Sequence, residues 1–134
     1  MKIKKKYHFY AAHRNIGAGE KCGRIHGHTY EIVCDFSFNH INESGVTMLF
    51  SSIDALVEPI MKEHCHWFLI YENDPLVEVL ELVNEPIKKL PFETSAENLA
   101  IWLFSRIKNE TKLPICQIEL TETKSSSVIY AESI

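Results

Sequence analysis

The sequence predicts an α+β fold, an antiparallel four-stranded sheet with helices packed on one face. Apolar residues alternate along residues 2–13 and 28–38, which is the period of a half-buried strand. Two other stretches repeat apolar residues at helical spacing. Strands are predicted at 2–13, 28–38, 115–123 and 127–131, and helices at 52–64 and 95–108. Because strands open and close the chain while helices fill its middle, helices are expected to cover one face of an antiparallel sheet.

The first two strands are expected to pair as a long hairpin across the glycine-rich loop at 15–23. His26 and His28 are two residues apart, so on a strand their side chains point to the same face. Antiparallel pairing of these strands would bring His13 next to both of them. The hairpin therefore predicts a cluster of three imidazoles at one end of the sheet.

The helix ends carry weaker signals. A serine at 51–52 is the expected N-cap of the first helix, and Pro59 is expected to end or kink it. Thr94 and Glu97 have the spacing of a capping box before the second helix. Residues 76–90 have mixed character and predict no single element.

Composition narrows the class of protein. A chain of 134 residues with 46% hydrophobic content is expected to form one domain, 1–134. A net charge of −4 and a pI near 6.0 do not suggest a nucleic-acid binder. No apolar signal segment follows Met1, and no run reaches transmembrane length, so neither secretion nor a membrane partner is expected.

Four cysteines, at 22, 34, 65 and 116, form no Cys-x-x-Cys pair. Free thiols in a reducing cytoplasm are the simplest interpretation. Cys34 and Cys116 lie in apolar stretches, where a cysteine usually acts as a small buried hydrophobic residue. Cys22, by contrast, lies four residues before His26 in a loop.

His13, His26 and His28 are the expected ligands of a zinc ion. Three neutral imidazoles without a thiolate are typical of catalytic zinc, because the fourth position stays open for substrate. Cys22 would then lie beside the metal as a general base. A fourth zinc ligand or an inert loop thiol are the alternative interpretations of Cys22.

Four motifs in order resemble the 6-pyruvoyl-tetrahydropterin synthase family, which includes the 6-carboxy-5,6,7,8-tetrahydropterin synthases of queuosine biosynthesis. Phe9-x-Ala11-Ala12-His13 and Cys22-x-x-x-His26-Gly27-His28 are similar to its two zinc motifs. Ser95-Ala96-Glu97-Asn98 resembles its Pro-Thr-Ala-Glu-Asn segment, and Glu122-Thr123 resembles its pterin-anchoring pair. The three-residue gap after Cys22 is similar to that of the carboxy-tetrahydropterin branch.

The resemblance implies a tunnelling fold whose trimers, commonly stacked into hexamers, form active sites at subunit interfaces. It also implies a Zn²⁺-dependent lyase that converts 7,8-dihydroneopterin triphosphate to 6-carboxy-5,6,7,8-tetrahydropterin, releasing acetaldehyde and triphosphate. Cys22 and His66 would exchange protons with the substrate. Glu122 would hold the pterin ring, and Ser95 would touch that ring or cap the following helix. Glu97 is expected to be structural.

The sequence departs from the family pattern at two places. Ser51 stands where an aspartate is usual, and the usual Leu-Asp-His is here His64-Cys65-His66. Cys65 thus replaces the carboxylate that orients the catalytic imidazole. A carboxylate such as Glu63 or Asp54, or a deprotonated Cys65, would be needed to take over that task. A 6-pyruvoyl product, a different side-chain cleavage, or a non-catalytic zinc- and pterin-binding paralogue are the alternatives.

Overall fold

The structure, a computed structural model, describes residues 1–133 and contains a curled sheet with three α-helices. The strands are β1 Lys2–His13, β2 His26–Ser37, β3 Trp67–Tyr71, β4 Ile87–Leu90, β5 Ile115–Thr123 and β6 Ser126–Ala131. The helices are α1 Phe50–Lys62, α2 Leu76–Leu82 and α3 Ala96–Thr111. None of these helices is long and apolar enough to cross a membrane.

The sheet has the strand order β4-β3-β1-β2-β5-β6. The four predicted strands form the antiparallel part, β1-β2-β5-β6, as expected. The described sheet contains six strands rather than four, because β3 and β4 extend it in parallel beyond β1. These two short strands lie in segments for which the sequence predicted no strand.

The main core lies between the sheet and the helices α1 and α3. Phe9 and Tyr30 stack from adjacent strands, and Leu103 and Phe104 of α3 pack over the same face. This confirms that the two predicted helices, α1 and α3, cover one face. The short α2 lies on the opposite face, because its Val77 packs with Phe68 and Ile70, which alternate with core-facing Leu69 along β3.

Two helix ends differ from their predictions. The first helix begins at Phe50 after Leu49, with no side-chain cap, so the serine N-cap was wrong. Pro59 lies inside that helix, which continues to Lys62. At α3 the hydroxyl of Ser95 accepts the N–H of Asn98 at 3.2 Å. Ser95 is therefore the N-cap, and the capping box of Thr94 with Glu97 was wrong.

One histidine is buried completely in the main core. His64 is 0% exposed and packs against the rings of Trp102 and Phe9. Burial lowers the pKa of its imidazole to about 4, since a charged ring would lose its hydration there. The ring is therefore neutral in the folded protein at pH 5–7, whereas in the unfolded chain it takes up a proton near pH 6.5.

The buried His64 predicts a loss of stability in mild acid. The unfolded state binds more protons below pH 6.5, so stability falls as the pH drops towards 4. Between pH 7 and pH 5, protonation of this one group in the unfolded chain lowers the free energy of unfolding by about 2 kcal/mol. We expect His64→Leu to remove that part of the pH dependence, as measured by urea unfolding of metal-free protein at both pH values. His40→Gln, on an exposed loop, is the control and should keep the wild-type difference; an unchanged difference in His64→Leu would contradict the assignment.

Candidate metal centre and active site

The register of β1 and β2 assembles the three predicted histidines. His13 pairs directly with His26, and Ala11 pairs with His28. All three side chains point to the core face of the sheet, and one nitrogen from each ring lies within 4.8 Å of the other two. In residues 1–133 no cysteine or carboxylate belongs to this group, which matches the expected three-imidazole set.

Hydrogen bonds to backbone carbonyls orient two of these rings. His13 Nδ1 lies 2.7 Å from the oxygen of Thr94, and His26 Nδ1 lies 2.7 Å from the oxygen of Arg24. A carbonyl only accepts, so both Nδ1 atoms carry the proton and both Nε2 atoms present lone pairs. His13 Nε2 and His28 Nε2 are 3.2 Å apart. Converging lone pairs of this kind fit a metal cation.

The protonation state of the cluster also suits a cation. Burial lowers the pKa of His13 to about 4, with smaller contributions from the neighbouring histidines. Burial, followed by His26, also lowers the pKa of His28. Neutral imidazole is the form that binds metals. The donor set of three nitrogens is the one that Zn²⁺ takes in open catalytic sites.

Glu122 lies at the edge of this cluster. Its carboxylate oxygens are 3.8 Å from His13 Nε2 and 3.6 Å from His28 Nε2. Burial raises the pKa of this carboxyl; His26 opposes that shift and Glu97 adds to it. The carboxylate is thus placed to accept hydrogen bonds from a molecule bound next to the histidines.

Two neighbours of the site were not predicted as such. Glu97, assigned a capping role from sequence, instead influences Glu122 from the first turn of α3. Tyr30 lies beneath His13 and His28 with ring centroids 5.9 and 5.3 Å away, and its buried hydroxyl has no hydrogen-bond partner within residues 1–133. Tyr30 could have been found from the sequence, because it lies two residues after His28 on the same strand and therefore points to the same face.

Cys22 lies on the loop between β1 and β2, at the same end of the sheet as the histidines. Its backbone oxygen accepts the N–H of Asn15 at 2.7 Å, which folds the loop back towards β1. A Cβ on Gly23 would lie 3.0 Å from the oxygen of Gly19, a tight contact that favours glycine in this turn. The thiol is exposed and free, and it is not among the grouped metal donors.

Cys65 and His66 lie apart from the cluster of three histidines. They occupy the turn between α1 and β3, with Cys65 Sγ 3.2 Å from His66 Nδ1. The ring of His66 packs on Tyr10, which faces away from the core. His66 and His28 border one open pocket of about 510 Å³, but no described contact joins His66 to the histidine cluster.

The carboxylates considered as substitutes for the missing aspartate are engaged by other groups. Asp54 accepts from Tyr7 at 2.9 Å and from Lys5 at 3.1 Å. Glu63 is paired with Arg106 through both of its oxygens. Cys65 is therefore the side chain in contact with His66 Nδ1 within residues 1–133.

The sequence also matches a known protein family. A family model described as 6-pyruvoyl tetrahydropterin synthase matches residues 2–133. The chain belongs to the 6-pyruvoyl tetrahydropterin synthase family. The earlier resemblance is thereby confirmed, and with it membership of a family of pterin enzymes.

The curated relatives within this family carry a more specific name. A 6-carboxy-5,6,7,8-tetrahydropterin synthase of Haemophilus influenzae is 30% identical over 98% of this chain and 99% of its own length. A protein of the same name from Synechocystis is 29% identical over 96% of this chain and 91% of its own length. The relatives therefore align with this chain almost end to end.

Solved structures of low sequence identity share the tunnelling fold. An uncharacterised protein of Wolinella succinogenes superposes with a TM-score of 0.85 at 16% identity, covering 99% of this chain and 98% of its own. The 6-pyruvoyl tetrahydropterin synthase of Caenorhabditis elegans gives 0.73 at 18% identity, covering 99% and 96%. The predicted α+β tunnelling fold is confirmed.

The histidine cluster predicts one metal site per chain. We expect alanine at His13, His26 or His28 to lower zinc affinity by at least about a hundredfold, since losing groups outside the first shell already costs ten- to a hundredfold. Competition with a chromophoric chelator measures this. His8→Ala, on the opposite face of β1, is the matched control and should bind like the wild type. Equal losses in control and test variants would contradict the site.

Proposed function

We propose that this protein is a Zn²⁺-dependent lyase that converts 7,8-dihydroneopterin triphosphate and one water molecule to 6-carboxy-5,6,7,8-tetrahydropterin with release of acetaldehyde and triphosphate. The observation that carries the proposal is the three-imidazole donor set with Glu122 at 3.6–3.8 Å from two of its nitrogens. The names of the curated relatives support the same reaction. Queuosine precursor formation in the cytoplasm is the setting that this reaction suggests.

His13, His26 and His28 would hold the zinc ion. Bound there, zinc would supply Lewis acidity to vicinal oxygens of the substrate side chain and lower their pKa. Glu122 would accept two hydrogen bonds from the amino group and ring nitrogen of the pterin, which fixes the ring relative to the histidines. Ser95 would lie near that ring while capping α3.

Cys22 would remove a proton from the substrate side chain. Its loop ends at the histidines, and its thiol is free and outside the donor set, so it is available as a base rather than as a ligand. His66 would exchange the second proton, with Cys65 in contact with Nδ1. The remaining nitrogen of His66, Nε2, would then face the substrate.

His66 is proposed to act in the site of a neighbouring subunit. Within one chain it packs on Tyr10, on the face of the sheet opposite to His13. A trimer or hexamer with active sites at its interfaces would bring His66 of one subunit to the Cys22 loop of another. The family resemblance implies such an assembly for this chain.

The shared site is tested with two variants. We expect Cys22→Ala and His66→Ala each to lower turnover at least about a hundredfold, as loss of an acid–base group does, while both keep zinc and fold. Products are read by mass spectrometry after incubation with 7,8-dihydroneopterin triphosphate. Co-refolding the two inactive variants should restore part of the activity, because some mixed interfaces contain both intact groups. No recovery on mixing would contradict a shared site, and no 6-carboxy product from the wild type would contradict the reaction.

The Cys65–His66 contact favours a second candidate, a different cleavage of the pterin side chain. A neutral thiol orients an imidazole less well than a carboxylate. We therefore expect Cys65→Asp to raise kcat by about tenfold or more and Cys65→Ala to lower it, with the substrate KM little changed. Steady-state kinetics with product identification measure both. If Cys65→Ala matches the wild type, the thiol does not orient His66; if Cys65→Asp changes the product, the second candidate is favoured.

A further inference from the structure

The turn that carries Cys65 and His66 has a strained backbone. His66 has a φ of 67°, in the left-handed region that a residue with a side chain seldom adopts. Its N–H donates to the oxygen of Tyr10 at 2.6 Å, which ties the turn to β1. Such a conformation persists only when the surrounding structure holds it. Neighbouring side chains must therefore hold this turn.

Arg106 of α3 contacts the turn at two consecutive residues. Its guanidinium binds both carboxylate oxygens of Glu63, one of them at 3.2 Å through Nη2. Nη1 also lies 3.2 Å from His64 Nε2. Glu110, one turn further along α3, holds the opposite side of the guanidinium at 2.6 and 2.9 Å.

The contact with His64 fixes the state of that ring. A guanidinium only donates, so His64 Nε2 must accept, and the imidazole proton lies on Nδ1. Nδ1 is buried and has no hydrogen-bond partner in the described part of the chain, and the ring packs against Trp102 with 4.8 Å between centroids. Glu63 Oε2 lies 3.6 Å from the same Nε2, beyond hydrogen-bond distance, so the hydrogen bond from Arg106 is the one that satisfies this imidazole within residues 1–133.

We propose that Arg106 is a positioning residue for the Cys65–His66 pair, and that Glu63 and His64 are the two points through which it holds the turn. This inference rests on the proposed function, since it assigns the pair its role. It accounts for a polar His64 at a place where the family pattern has leucine. The orienting carboxylate is missing next to His66, and the turn is instead fixed from the helix behind it.

The rate of the reaction provides the first test. Arg106→Met should lower kcat about a hundredfold with KM within about twofold, because small displacements of an acid–base group cost rate rather than binding. Arg106→Lys should recover only part of kcat, since one ammonium cannot bind Glu63 and His64 in the same geometry. Lys108→Met is the matched control, because Lys108 also lies on α3 and loses only an exposed ion pair with Glu132, which follows β6; this variant should keep the wild-type kcat.

Thiol reactivity provides a second test that needs no turnover. In a Cys22→Ser background, Cys65 is the remaining thiol that is not buried, because Cys34 and Cys116 lie in the core. Arg106→Met should speed its reaction with a chromogenic aromatic disulfide by about tenfold, as local opening of a turn exposes it. Lys108→Met in that background should react at the unaltered rate.

The outcomes separate positioning from simple stabilisation. Thermal unfolding and zinc binding are measured on each variant, and assays are run well below the unfolding midpoint. Unchanged kcat and unchanged Cys65 reactivity in Arg106→Met would overturn the proposal, as would a fall in kcat that is matched by a loss of folded protein. An inactive wild type would refute the proposed reaction, while the thiol rates would still decide whether Arg106 holds the turn.

A second pair of variants covers the case in which Arg106→Met does not fold. Glu63→Gln removes the negative charge of the Arg106–Glu63 ion pair. It should lower kcat and speed the reaction of Cys65, by smaller factors than Arg106→Met. Glu58→Gln is its control, because Glu58 lies on α1 in an exposed pair with Lys62 at 4.0 Å. Equal values for these two variants would overturn the proposal.

Discussion

The pairing of His13 with His26 across β1 and β2 is the contact on which the metal centre depends. A slip of one residue would turn the histidines of one strand to the opposite face and break the group of three nitrogens. The register is held by the buried stack of Phe9 on Tyr30, four residue pairs further along the same strands. The hydrophobic core and the metal site therefore depend on the same alternation of side chains along β1 and β2.

The same sheet separates the two parts of the proposed active site. One part contains the three histidines and Glu122, on the core face of the sheet, with the Cys22 loop at the same end. The other part is His66, which packs on Tyr10 on the opposite face. A single chain thus carries both parts without joining them. Arg106 links the position of His66 to helix α3, because it binds the carboxylate of Glu63 and the buried imidazole of His64. Catalysis by this protein would then depend on helix packing as well as on assembly.

Much of this arrangement could be predicted from sequence, because strand alternation and the spacing of His26 and His28 are local signals. The carbonyls of Thr94 and Arg24 that orient the rings could not, since any residue supplies such an acceptor. The strands β3 and β4 escaped prediction because they are four or five residues long and pair in parallel. Glu97 was misassigned because the true N-cap is Ser95, one residue later than the capping-box spacing implied.

The most direct test of the metal centre is a crystal structure of the zinc-loaded protein with anomalous diffraction at the zinc edge. The account predicts one ion per chain, bound by Nε2 of His13, His26 and His28 at about 2.0–2.1 Å, with Cys22 outside the first shell. An ion bound by Cys22 or by the Cys65–His66 pair, with the three histidines unligated, would contradict it.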